Sequence, residues 1–153
     1  MTFTIDKPYL TRLTRELIQI NSINPSLTPD GKGEAEIAAH VAKELKELGL
    51  DVTVSEIAPG RVNVVGTLKG SGGGKSLMLN AHLDTVGVEG MSIDPFGGEL
   101  KEGRMYGRGA QDMKGSLAAM IAAAKAIVEA GIRLRGDLRA FRPTPRGGQS
   151  ARD

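Results

Sequence analysis

Leu77-Met78-Leu79-Asn80-Ala81-His82-Leu83-Asp84-Thr85-Val86 is the stretch on which the reading of this chain turns. Its first three residues form a short apolar run of the kind a buried strand makes. An imidazole follows, with a carboxylate two residues on. Side chains alternate along extended backbone, so His82 and Asp84 leave one face and Leu83 the other. A metal-ligating histidine uses such a carboxylate to fix its tautomer and raise its basicity. A histidine at a strand end, satisfied by water, accounts for the same triplet and is the commoner case, because short motifs recur by chance. The triplet alone leaves both readings open.

The totals limit what else the chain is. Its 153 residues are one domain's worth, and 40% hydrophobic with 25% charged residues is the balance of an ordinary globular protein. There is no cysteine, which excludes disulfides and thiolate metal sites. Any metal must be held by His, Asp, Glu or water. The first ten residues carry Asp6 and Pro8 in place of a signal peptide's apolar core. The longest apolar stretch, residues 117–127, contains Lys125 and is too short to cross a bilayer. A cytoplasmic protein with no membrane partner is the expectation.

A formal net charge of +2 raises a nucleic-acid reading. Its distribution argues against one. Residues 139–153 hold Arg139, Arg142, Arg146 and Arg152 against Asp153 alone, and outside them acids outnumber bases by one. With so few aromatics and no Trp there is no base-stacking platform. No nucleic-acid partner is expected.

Taken in order, Asp6 is a good N-cap with Pro8 tolerated in the first turn. Leu10, Leu13, Leu17 and Ile20 then repeat at helical spacing, predicting a helix over 7–20. A second helix is expected from Glu34 to Leu48, closed by Gly49. Two β-rich runs, 52–57 and 62–68, are parted by Pro59-Gly60. Beyond Val86 a hairpin is expected, residues 98–101 against 104–106 about Glu102-Gly103. Residues 117–128 read as the clearest helix and 134–141 as a further strand. Helices alternating with short apolar strands predict an α/β fold, a mixed sheet with helices on both faces.

Three features compete for chemistry. Gly74-Lys75-Ser76 imitates the end of a phosphate-binding loop, but Lys69 stands where that pattern needs glycine and a strand follows in place of a helix. His40, mid-helix beside Glu36 and Glu44, reads as a solvated polar residue and is assigned no role. Asp112, in the sequence Gly107-Arg108-Gly109-Ala110-Gln111-Asp112-Met113-Lys114-Gly115, is either a helix cap or a metal carboxylate held between glycine hinges.

Together these pieces resemble a family. Residues 80–86, then Asp94-Pro95-Phe96, then residues 103–115 are similar in order to the zinc-dependent acetylornithine deacetylase, succinyl-diaminopimelate desuccinylase, aminoacylase and carboxypeptidase family. Ser22-Ile23-Asn24-Pro25 sits where that family carries Ser-x-Asn-Pro. The resemblance runs from about Leu10 to Leu138 and covers the family's N-terminal portion only. It implies a co-catalytic two-zinc hydrolase of the amide bonds of N-acyl amino acids or small peptides, with cobalt an admissible substitute. It makes His82 a zinc ligand, Asp84 the catalytic-site residue that orients it, and Asp112 the carboxylate bridging both metals, before a cis peptide to Met113. Two close metals polarise a scissile carbonyl and lower the pKa of a bridging water.

The resemblance then breaks. After Gly136-Asp137-Leu138 the family continues to Asp-Glu-Glu, whose glutamates, the general base and a zinc ligand, fall at 146 and 147. Here those positions are Arg146 and Gly147. Residues 1–138 are therefore read as a truncated catalytic domain and 139–153 as an aberrant, disordered tail. A frameshift is one origin: Arg-Gly-Gly encoded CGA-GGA-GGN contains GAG-GAG one nucleotide downstream. The family's dimerisation domain and late zinc ligands are also missing from these residues. Catalytic zinc usually keeps three protein ligands, so zinc binding is expected to be weak or absent and the chain inactive alone. The alternatives are a non-catalytic binding module, or a complementing half completed by another polypeptide. An unfinished sheet edge predicts aggregation.

Overall fold

The computed structural model describes residues 4–140. Asp6 starts α1 (Lys7–Gln19): its carboxylate accepts from Tyr9 N at 2.9 Å, satisfying a donor that the helix leaves without a partner. Leu13, Leu17 and Ile18 bury completely. α2 (Ala35–Glu47) turns Ile37, Val41 and Leu45 inward at the spacing its sequence predicts. β1 (Asp51–Ala58) and β2 (Arg61–Leu68) then form an antiparallel pair. β3 (Leu77–Leu79) follows, and the hairpin of β4 (Glu99–Lys101) with β5 (Arg104–Tyr106) stands apart as its own two-stranded sheet. α3 (Gly115–Glu129) starts two residues before the expected boundary, and its alanines allow it to pack closely on α1. β6 (Leu138–Ala140) closes the described chain.

The main sheet has the order β1-β2-β6-β3. β6 enters between two earlier strands, antiparallel to β2 and parallel to β3, with Leu77 opposite Leu138 and Leu79 opposite Ala140. The parallel pair is joined through α3, as parallel strands require a long crossover. The mixed sheet is thus as expected. One contiguous core joins α1, α2 and α3 to Val64, Ala81, Leu83 and Ala140. The residues that alternate with these, Thr53, Met78 and Arg139, are exposed among the described residues. So is Leu77, on the outer strand β3.

β6 is shorter than the expected strand because its first half has other partners. Leu134 O accepts from Ser71 N at 2.8 Å, and Asp137 Oδ1 accepts from Gly70 N at 3.0 Å. The glycine-rich stretch 70–75 lies so close to this segment that a Cβ on Gly136 would stand 2.0 Å from Lys75 O. That stretch leads into β3, the strand connection its sequence suggests. The tail expected to be disordered lies, from residue 141 on, outside the described residues.

Candidate metal centre

Past Leu79 the chain runs to Thr85 held by the segment that leaves α1. Thr85 N donates to Ser22 O and Asn24 N donates to Thr85 O, both at 2.9 Å. The side chains alternate along this run. Ala81 and Leu83 enter the core, while His82 and Asp84 turn together toward the opposite side. Asp84 is buried, at 5% exposure. His82 Nδ1 lies 2.9 Å from the Asp84 backbone oxygen and 3.3 Å from its carboxylate Oδ1. The closer oxygen is the carbonyl, so Asp84 orients the ring through its main chain as well as its side chain.

Asp112 reaches the same place from 30 residues on. Its Oδ1 lies 2.9 Å from His82 Nε2, and its side chain is 65% exposed. The turn Ala110–Lys114 delivers it, with Asp112 (φ −122°, ψ 91°) and Met113 (φ −139°, ψ 33°) departing from helical geometry. The Asp112–Met113 peptide is cis, as the resemblance implies. Gly109 introduces the turn at φ +81°, where a Cβ would approach Thr85 Cγ2 to 2.8 Å. Glycine is thus required there for both conformation and space.

Two buried polar groups brace the centre. Lys114 is 1% exposed, and its Nζ donates to Ile20 O at 2.7 Å, tying the Asp112 turn to the end of α1. Burial pushes its ammonium down to about 8. Asn24 is fully buried, and its Nδ2 donates to Asp84 Oδ2 at 2.8 Å. Burial pushes the Asp84 carboxyl up, but hydrogen bonds from His82 and Asn24 overcome that and hold it below the usual carboxylate range.

A cavity of about 410 Å³ opens over the centre, lined by His82, Asp84, Asp112, Tyr106 and Arg108 among others. Two donor atoms converge in it. When His82 donates from Nδ1 toward Asp84, the Nε2 lone pair faces the Asp112 carboxylate, and a cation satisfies both. Imidazole and carboxylate are the donor types zinc takes in the absence of cysteine. These two residues therefore fit part of a metal's coordination.

Glu16, His40 and Glu44 also group closely enough to hold a metal. Arg12 already pairs with both carboxylates, contacting Glu44 at 3.1 Å. His40 Nε2 is buried, not solvated, and lies 3.3 Å from Glu16 of α1 without a hydrogen bond among the described residues, with Glu44 of its own helix close by. The group is an ion-pair network between α1 and α2. Sequence reading brought His82, Asp84 and Asp112 together but gave no role to Asn24 or Lys114. The Ser-Ile-Asn-Pro segment was the signal for Asn24, and nothing in its spacing pointed to a partner sixty residues away.

Comparison with known proteins sets the chain in a wider group. Residues 78–141 match the model of peptidase family M20/M25/M40. The chain is 39% identical over 137 residues to an N-formyl-4-amino-5-aminomethyl-2-methylpyrimidine deformylase of Bacillus subtilis, covering 86% of the chain and 31% of that protein. It is 37% identical over 134 residues to a succinyl-diaminopimelate desuccinylase of Gluconacetobacter diazotrophicus, covering 86% and 33%. Among solved structures it resembles the M20 family metallo-carboxypeptidase Sso-CP2 of Sulfolobus solfataricus, with a TM-score of 0.74 at 22% identity over 86% of this chain and 30% of that one. The chain thus spans about a third of the length of the curated relatives it matches.

Proposed function

Over residues 78–141 the chain belongs to peptidase family M20/M25/M40, and from this premise we propose that His82 and Asp112 are the first half of a co-catalytic zinc site for amide hydrolysis. The observation that carries the reading is the approach of His82 Nε2 to Asp112 Oδ1 across the floor of the cavity. Relatives named as a deformylase and a desuccinylase each remove an acyl group from an amine. The substrate class is accordingly an N-acyl amine, N-acyl amino acids among them.

When bound, zinc supplies Lewis acidity at the scissile carbonyl and a water of lowered pKa. The chain's own residues prepare for that. Asp84, kept ionised by His82 and Asn24, holds the ring so that Nε2 points into the cavity. Asp112, on a turn fixed by Gly109 and Lys114, offers its Oδ1 toward the same space. No glutamate stands at 146 or 147 to act as general base or further ligand. The 153-residue polypeptide therefore binds metal weakly and does not turn over.

The test is an amine-release assay on the zinc-loaded polypeptide with N-formyl, N-acetyl and N-succinyl amino acids. No release above buffer is expected. Release that follows zinc content and disappears in His82→Ala would overturn the claim that the site is incomplete.

A further inference from the structure

Asn24 uses every polar group it has. Its amide N–H donates to Thr85 O, its carbonyl accepts from Leu27 N and Thr28 N at 3.0 Å, and its Oδ1 accepts from Ser26 N at 2.9 Å. Of its side-chain atoms only Nδ2 is directed away from its own loop, to Asp84 Oδ2 at 2.8 Å. The loop is clamped from behind. Gly33 N donates to Ile23 O at 3.0 Å, and a Cβ on Gly31 would stand 2.6 Å from Ile23 O. A fully buried amide bonded through both its nitrogen and its oxygen on a fixed turn is held in one orientation.

We infer that Asn24 is a positioning residue for the metal centre: it fixes the Asp84 carboxylate, and through Asp84 the rotation and Nδ1–H tautomer of His82. The chain of contacts runs Asn24 Nδ2 to Asp84 Oδ2, then Asp84 Oδ1 and main-chain oxygen to His82 Nδ1, then His82 Nε2 to the cavity. A carboxylate held at one oxygen has its other oxygen set in direction. Without Asn24 the buried Asp84 loses a charge-assisted hydrogen bond and is free to rotate away from the ring. The inference rests on reading His82 as a ligand, but the link from Asn24 to the ring holds with or without metal.

The test compares the full 153-residue chain with Asn24→Ala and Asn24→Leu at pH 8. Asn24→Leu keeps the size and removes the donor together with the oxygen that takes Ser26 N, so it carries the result if the alanine variant does not fold. ¹⁵N NMR of the metal-free imidazoles reports which His82 nitrogen is protonated, with His40 as internal reference. Calorimetric titration reports zinc affinity. In wild type Nδ1 is expected to be protonated toward Asp84 whether or not Nε2 also carries a proton toward Asp112. In both variants the population shifts toward an unprotonated Nδ1, and zinc affinity falls by about ten- to a hundredfold, the usual loss when a partner behind a ligand is removed. Unchanged tautomer and affinity in a folded variant would overturn the role of Asn24. A tautomer shift in a chain that takes up no zinc at His82 would overturn the metal reading and leave the Asn24–Asp84–His82 link standing.

Discussion

His82 Nε2 and Asp112 Oδ1 meet at 2.9 Å although 30 residues separate them in sequence. Two elements bring them together. The extended run after β3 ends on the Ser22–Asn24 segment, and the turn before α3 is pinned to Ile20 by Lys114. Both anchors lie within five residues just past α1, so the end of one helix sets the distance between two candidate ligands.

Lys114 gives this anchor a pH signature. Its ammonium is pushed from 10.5 in the unfolded chain to about 8 in the fold. Below pH 8 both states are protonated and the full cost of burying the charge is present. Between about pH 8 and 10.5 the unfolded state binds more protons, so stability rises with pH, by at most ~1.4 kcal/mol per unit. Urea unfolding from pH 7 to 10 is expected to show this rise in wild type and its loss in Lys114→Met. Parallel curves for the two proteins would contradict it.

Gly109→Ala is expected to destabilise the fold by about 1–3 kcal/mol, because it adds a strained left-handed residue and a Cβ too close to Thr85. The midpoint of chemical unfolding measures it. A variant as stable as wild type would show that the turn relaxes freely.

The packing beneath the centre is tested by Leu17→Ala. Leu17 is fully buried in the core shared by all three helices, and its truncation is expected to cost about 2–5 kcal/mol. A loss well below that range would mean that α1 is not fixed against α3.

Asp84→Asn removes the charge facing His82 Nδ1 and leaves the main-chain oxygen at 2.9 Å. Zinc affinity is expected to fall about ten- to a hundredfold without loss of fold. If affinity does not change, the carbonyl alone orients the ring.

Local signals were legible in the sequence and non-local ones were not. Asp6 announced the start of α1, and the bond it accepts from Tyr9 N bears that out. The alternation at 81–84 separated Leu83 from His82 and Asp84, since it needs only the geometry of an extended chain. The entry of β6 between β2 and β3 depends on pairing across the whole chain, which no local pattern encodes. The shortening of β6 has the same origin, because residues 134–137 are taken by the glycine stretch. The roles of Asn24 and Lys114 are not encoded locally, because their partners, Asp84 and Ile20, are 60 and 94 residues away. His40 Nε2 faces Glu16 of α1 at 3.3 Å, which the spacing within its own helix does not encode.

The most direct measurement is zinc titration of the full chain, followed by calorimetry, with His82→Ala, Asp112→Ala and His40→Ala in parallel. Weak binding is expected in wild type and in His40→Ala, and is lost in both other variants. Binding that survives the loss of His82 and Asp112, or that depends on His40, would place the metal at the Glu16, His40 and Glu44 group and contradict the assignment.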